Sequence, residues 1–352
     1  MTVPSPLGVV IPAYNAADYL GAALDSLCRQ SRRDWVAVVV DDGSTDATLA
    51  VAEAFATGEP RLQVISQPNR GKSHARNAGL ARLPAACRFV MFADADDVMT
   101  PRALEVLAAR LAATPEAVGS FGYSEWIDPA GEPLLPGEHP RRQDDRRAVQ
   151  GKTLVDVPKG APADFTNLVV GCPIVPAGAA LHRRSAVEAV GGFDPTWPLA
   201  QDWDLYQRTS REGPFVMVDE VVAHYRKHPE TPERAVSRLA VLTDDLRRAT
   251  WESPENTPEQ RRAALWAWRH LQLRRLLRAV RHALHALGAR EWRAGRRFGA
   301  GALIAARDLL RRGPQPGNPR HVYLTGAALS IDAPPVVAAV GLTEAATEPL
   351  RT

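Results

Sequence analysis

Four short apolar runs, each ending in polar or acidic residues and the first three each followed by a helix-like stretch, constrain this chain more than any other feature. The first, Leu7 to Tyr14, ends in Pro12-Ala13-Tyr14-Asn15. A helical pattern follows, with Leu20, Leu24, Leu27 and Cys28 on one face and Asn15 as its expected N-cap. The second, Trp35 to Val40, runs into Asp41-Asp42-Gly43-Ser44-Thr45-Asp46 and feeds a helix through Phe55. Leu62 to Ile65 is the third, followed by Asn69-Arg70-Gly71-Lys72 and a helix-like stretch containing Ala75 to Leu80. The fourth, Arg88 to Ala93, delivers Asp94-Ala95-Asp96-Asp97. Apolar strands alternating with helices predict an α/β fold: a doubly wound, mostly parallel sheet flanked by helices. Ligands sit beyond the carboxyl ends of such strands, so the polar groups at these four ends are the candidates for function.

Two carboxylates one residue apart, just past a strand, can converge on one cation because the chain has stopped alternating strictly between faces. Oxygen ligands of that kind suit a hard divalent ion, Mg²⁺ or Mn²⁺, which would also take phosphate oxygens. A solvated acidic turn is the plainer alternative. The three cysteines, Cys28, Cys87 and Cys172, lie far apart without metal-ligand spacing, so neither a disulfide framework nor a zinc site is expected. No apolar run reaches the roughly 18 residues needed to span a bilayer. The first strand is entered without a basic segment and apolar signal core, so the expected location is cytoplasmic.

Six segments in order carry a resemblance: VVIPAYN (9–15), VVVDDGSTD (38–46), NRGKSHARNAGL (69–80), FADADD (92–97), GGFD (191–194) and QDWDLYQR (201–208). Together they resemble a family 2 glycosyltransferase over residues 7 to 230. The resemblance implies the GT-A fold and inverting, metal-dependent transfer of a sugar from a nucleoside-diphosphate sugar, UDP-linked as the first expectation. The acceptor would be a hydroxyl on a glycan, a lipid-linked glycan or a small molecule, and no nucleic acid partner is implied. By the same resemblance Pro12, Ala13 and Tyr14 lie against base and ribose, and Asp41 binds the base. Lys72 and Arg76 could reach the diphosphate, with a structural ion pair as the alternative for Arg76. Asp94 and Ala95 belong to the donor site, and Asp96, with Asp94, holds the metal. His224-Tyr225-Arg226-Lys227-His228 is similar to a YRxH segment of the family, which makes His228 a candidate for the metal or diphosphate.

Asp202 matches the family's general base. The family usually carries Glu immediately before it, and Gln201 here removes a charge beside the base. Asp204 is expected to cap its helix or pair with Arg208, Asp46 to act as a helix N-cap, and Trp203 to lie in the core rather than under a sugar. Two other readings stay open: a nucleotide-sugar-binding subunit without turnover, and a nucleotidyltransferase. Asp202 beside intact Asp94 and Asp96 favours an enzyme. A nucleotidyltransferase would open with a glycine-rich basic loop after its first strand, which Pro12-Ala13-Tyr14-Asn15 is not.

The expected organisation is a GT-A domain over 1–230, its nucleotide-sugar half about 1–100 and acceptor half about 101–230, then an arginine-rich helical appendage and tail over 231–352. The net charge of +3 hides an asymmetry. From Glu259 to Arg312 there are 14 arginines against Glu259, Glu291 and Asp308, a local +11 that leaves −8 elsewhere. In this segment Trp266, Leu273, Leu277, Val280, Leu284 and Leu287 recur at helical spacing up to Gly288, an expected helix stop. A second helix is expected from Arg290 to Arg311. An anionic surface, such as the inner face of a membrane bound peripherally through Arg274, Arg275, Arg278 and Arg281, would suit so basic an appendage. A packed hairpin with an arginine-rich polar face is the alternative. Asp128 to Asp164 reads as a long surface loop, and the last forty residues as loosely structured apart from Val336 to Val340.

Overall fold

The four expected strands lie side by side as β1 (Leu7–Ala13), β2 (Trp35–Asp41), β3 (Leu62–Ser66) and β4 (Phe89–Phe92). A computed structural model describes residues 6–134, 146–228, 233–288, 292–309 and 313 of the chain. All three strand pairs are parallel, in the order β3-β2-β1-β4, with Leu7 opposite both Trp35 and Phe89. The crossovers are helices α1 (Ala17–Cys28), α2 (Thr48–Gly58) and α3 (Lys72–Arg82). Every residue of β1 is buried because both faces of the sheet are covered. Val9 and Ile11 join the cluster that contains Leu20, Leu24 and Leu27 of α1. Val10 and Val38 point the other way, onto Ala75 and Leu80 of α3. Gly79 lets α3 approach the sheet closely, since a Cβ there would collide with Val10.

Asn15 does not cap α1 as expected. It sits at φ 49° and accepts a hydrogen bond from the Thr45 backbone N at 2.9 Å, tying the end of β1 to the end of β2. The first turn of α1 is satisfied from across the site. Thr48 Oγ1 accepts from Ala16 N and Asp46 Oδ2 from Ala17 N. Asp46 also accepts from its own helix at Thr48 N, so it serves two helix starts at once.

Further along come β5 (Val98–Met99), α4 (Ala103–Ala112), β6 (Gly119–Ile127), β7 (Arg147–Gln150), β8 (Thr153–Asp156) and α5 (Phe165–Leu168). They are followed by β9 (Ala180–Arg183), α6 (Arg184–Ala189), α7 (Gln201–Thr209) and β10 (Phe215–Arg226). Among the described residues the large sheet has eight strands, ordered β3-β2-β1-β4-β9-β6-β10-β5. β9 is antiparallel to both its neighbours, β4 and β6, while β10 runs parallel to β6 and β5 antiparallel to β10. The segment read as a loop is partly ordered: β7 and β8 pair as an antiparallel hairpin, and Val149 is buried against Phe165 and Val169.

The basic segment forms α9 (Pro258–Gly288) and α10 (Trp292–Leu309), close to the expected bounds, and α9 ends at Gly288. They are preceded by α8 (Glu233–Glu252), which the sequence reading had not separated from its surroundings. α8 is docked on the sheet domain through Thr250 Oγ1, which donates to Gln207 Oε1 at 2.6 Å, and through Arg247 over the Trp203 ring. The inward face of α9 is small: Ala263, Ala264 and Ala267 pack on β7 and α5. Arg275 is not on the surface. It is buried and makes a two-pronged ion pair with Asp244 at 2.7 and 3.0 Å, which removes it from any set of membrane-facing arginines. The expectation for Val336 to Val340 lies outside the described residues.

Candidate functional site

The carboxyl ends of β1, β2 and β4 and the amino ends of α3 and α7 meet on one edge of the sheet, where charged side chains collect. α3 begins at Gly71, held at φ 91°, a conformation glycine adopts without a steric penalty. The loop leading into it is folded by Asp42. One oxygen of Asp42 accepts from Gln67 Nε2 (2.7 Å) and Arg70 N (3.0 Å), and the other from Gly71 N (2.8 Å). Lys72 and Arg76 then stand one turn apart on the same helix face.

Arg76 is the hub. Its side chain is fully buried, lies over the Phe193 ring at 4.9 Å, and donates to Asp94 Oδ1 at 2.9 Å and Asp202 Oδ1 at 2.5 Å. Lys72 Nζ reaches the same Asp94 oxygen at 3.1 Å. The family's expected donor carboxylate and expected base are thereby drawn to one guanidinium. Burial raises the Asp94 carboxyl, but Lys72 and Arg76 outweigh it and hold the group below its ordinary range. For Asp202 burial wins: even with Arg76 pulling it down, its carboxyl is pushed above the usual value, with Asp94 adding to the rise.

Asp202 owes its place to the start of α7. Ala200 adopts a left-handed conformation, φ 60°, and turns the chain sharply into the helix so that Asp202 falls in the first turn. Gln201 is structural, its amide donating to Pro198 O at 2.8 Å. Trp203 is core, its indole N–H on Leu168 O. Asp204 pairs with Arg208 at 2.6 Å, as expected. Arg208 in turn donates to Val190 O and Gly192 O, fixing the glycine turn that carries Phe193. Asn77 clasps the same turn, donating to Phe193 O and accepting from Phe193 N. Three of the sequence segments are therefore one mechanical unit, which holds Arg76 from below.

The acidic triplet splits among different partners. Asp94 faces Lys72 and Arg76, whereas Asp96 Oδ2 meets His228 Nε2 at 2.7 Å. Asp97 is buried, accepts from Arg226 N at 2.8 Å, and is pushed well above its ordinary value by burial and by Asp94 and Asp96 beside it. Arg226 adds to the frame by donating to Asp96 O, Asp128 O and Pro129 O. His228 lies edge-on to Tyr19 at 5.2 Å. Among the described residues no three His, Cys, Asp or Glu side chains gather to hold a metal ion unaided. Asp96 and His228 do supply an adjacent carboxylate and imidazole, a donor set that suits Mn²⁺ or Mg²⁺ when phosphate oxygens fill the other positions. The residues fit a metal shared with a ligand, not a cage.

Where the resemblance implies base and ribose, Pro12 and Ala13 are buried in β1 and Tyr14 is 51% exposed at its carboxyl end. Asp41 is buried; it accepts from Ser44 N at 3.2 Å and from Ser66 Oγ at 2.9 Å, so part of its capacity already serves the loop. Ala95 is buried between the two outer aspartates. Sequence reasoning missed Asp42 and Asp97 as organisers and gave Arg76 too small a part. The signals were the doubled acids themselves: the second aspartate of each of these Asp-Asp pairs is buried and accepts backbone N–H groups, from Arg70 and Gly71 at Asp42 and from Arg226 at Asp97.

Residues 8–167 match the profile described as Glycosyl transferase family 2. They are a family 2 glycosyl transferase domain. An uncharacterized glycosyltransferase of Nostoc is 29% identical over 228 residues, covering 63% of this chain and 65% of that protein. The chain spans 65% of the length of that relative and as little as 10% of others, among them a chondroitin synthase of Pasteurella multocida. Among solved structures, a mannosyltransferase from Pyrobaculum calidifontis in complex with GDP-Man and Mn²⁺ superposes with a TM-score of 0.59 at 20% identity, over 88% of each chain. S. aureus TarS 1–349 in complex with UDP-GlcNAc gives 0.52 at 18% identity, over 85% of this chain and 92% of that one. The family 2 domain thus has the GT-A fold expected for it, and the likeness at these identities speaks to fold alone.

Proposed function

We propose that the chain is an inverting glycosyltransferase that moves a sugar from a nucleoside-diphosphate sugar, UDP-linked in our reading, to an acceptor hydroxyl, with Asp202 as general base. The observation that carries the reading is the Arg76 bridge, which sets Asp202 beside Asp94 at the carboxyl edge of the sheet. Tyr14 and Asp41 would meet the nucleoside, with the backbone of Pro12, Ala13 and Ala95 lining its path. Lys72 would approach the diphosphate, its charge reinforced by Asp94 beside it. Asp96 and His228, with Asp94 near, would hold Mg²⁺ or Mn²⁺, and that cation would neutralise charge on the departing diphosphate. Structural neighbours bound to UDP-GlcNAc and to GDP-Man with Mn²⁺ support a nucleotide-sugar donor.

Asp202 has one oxygen on Arg76, which orients the carboxylate and leaves the other free to take the acceptor's proton. Its raised basicity suits that task at neutral pH. Asp202→Asn removes the proton acceptor while keeping an oxygen for Arg76, so turnover is expected to fall about a hundred- to ten-thousand-fold. Slow hydrolysis of the sugar nucleotide, with water in the acceptor's place, supplies a rate before the acceptor is identified. Thermal shift with UDP, GDP and TDP, with and without Mn²⁺, gives donor affinity. Asp202→Asn should keep the nucleotide shift, and Asp96→Asn should lose its Mn²⁺-dependent part. Absence of any nucleotide shift would sink the transfer reading, and near-normal turnover in Asp202→Asn would move the base elsewhere.

A further inference from the structure

The inward face of α9 carries Ala263, Ala267, Trp268, Gln272, Arg275 and Ala279, all buried. That leaves the apolar row on the outside. Leu273 is 41% exposed, Leu277 61%, Val280 40% and Leu284 65%. Their spacing of four, three and four residues puts them on a single stripe about 17 Å long. Single exposed apolar side chains are ordinary, but four in line on one helix face mark a surface that meets something apolar. Beside the stripe, about 100° round the helix, stand the exposed Arg274 and Arg281. Not one acidic residue occurs between Gln260 and Gly288.

At the amino end of the stripe is a cleft of about 400 Å³ lined by Trp266, Arg269, His270, Leu273 and Leu309. Arg269 lies over the Trp266 ring at 5.0 Å, and its Nε is buried with no hydrogen-bond partner. The occupant of this face must therefore bring hydrocarbon and negative charge together. A second copy of α9 would cover the leucines but set Arg274 and Arg281 against another arginine-rich helix with no acid to receive them. An anionic phospholipid surface supplies both parts.

We infer that the outer face of α9 docks on an anionic phospholipid surface, with Leu273, Leu277, Val280 and Leu284 entering the acyl boundary. Arg269, Arg274 and Arg281 meet lipid phosphates at the same level. The surface is remote in sequence from the transfer site and does not rest on the proposed reaction, so its failure leaves that reading standing.

The test is co-sedimentation of the full chain with vesicles of phosphatidylcholine alone or mixed with phosphatidylglycerol. Binding is expected only to the mixed vesicles, with release as salt is raised. Leu277→Asp with Leu284→Asp should abolish it while leaving the melting temperature unchanged, because both positions face solvent. Arg274→Gln and Arg281→Gln should each weaken it roughly fivefold. The inference is overturned by no binding to either vesicle, by equal binding to both, or by full binding of the double aspartate variant. It is also overturned if light scattering gives a dimer that the double variant returns to one chain, since a second copy would then own the stripe.

Discussion

Replacing His182 should make the protein less sensitive to acid, by an amount set by the aromatic box around it. The ring is buried at 1% exposure, stacked on Tyr206 at 5.5 Å, with the edges of Phe92 and Phe215 completing the enclosure. Its Nδ1 has no hydrogen-bond partner. Burial, and then the nearby charge of Arg76, lowers its pKa from 6.5 to about 3. The folded protein therefore declines a proton that the unfolded chain accepts below pH 6.5. Between those two values the unfolded state holds more protons, so stability falls as pH falls and is intact above the unfolded value. At pH 5 the gap from 6.5 is 1.5 units, worth about 2 kcal/mol at roughly 1.4 kcal/mol per unit. His182→Phe and His182→Leu carry no titrating group at this position. Urea unfolding followed by tryptophan fluorescence at pH 7.5, 6 and 5 should show wild type losing about 2 kcal/mol more than either variant over that range. Parallel pH dependences would mean that the ring is protonated in the folded state, and the enclosure argument would be wrong.

Two substitutions away from the chemistry test the packing account. Arg275→Met strips Asp244 of its two-pronged partner and leaves it, among the described residues, Arg247 at 3.5 Å. It should cost about 3 kcal/mol in urea unfolding, most of it recovered when Asp244→Leu is added; an unchanged midpoint for the single variant would show that the pair contributes nothing. Gly192→Ala places a Cβ 2.6 Å from Asn77 Oδ1 at φ 76°, so the clasp on Phe193 must open. A loss of about 2 kcal/mol is expected from calorimetry, together with slower turnover as Arg76 loses its support; wild-type stability would contradict the clasp.

The parallel half of the sheet was legible because each strand is a mostly apolar run and each crossover has helical spacing. The resemblance implied that Asp202 and Asp94 serve one site, although nothing in either motif reveals that they share a cation. β9 was not legible: four residues, Ala180 to Arg183, are too few to show a period, and a strand so short takes its direction from its neighbours. Which partners each aspartate of a pair takes depends on where alternation breaks at a strand end, and sequence does not mark that point. Arg274 and Arg275 are the same residue type one position apart. A helix separates them by about 100°, enough to leave one exposed and to bury the other beside Asp244. The outward leucine row was equally hidden, since leucines at helical spacing ordinarily face a core. Here alanines fill the inner face because α9 lies close on its neighbours.

The placement of β9 has a consequence for how the chain reaches this state. β3, β2, β1 and β4 are contiguous early in the sequence and need only local crossovers to pair. β4 is closed on its far side by β9, whose residues lie some ninety positions later. During synthesis, the first half therefore waits with an open strand edge, the kind of edge on which other chains can pair. Arg76 waits as well, for Asp202 is 126 positions downstream of it. The same late arrival that closes the sheet completes the charge pairing, so an unfinished chain has neither a sealed edge nor an assembled site.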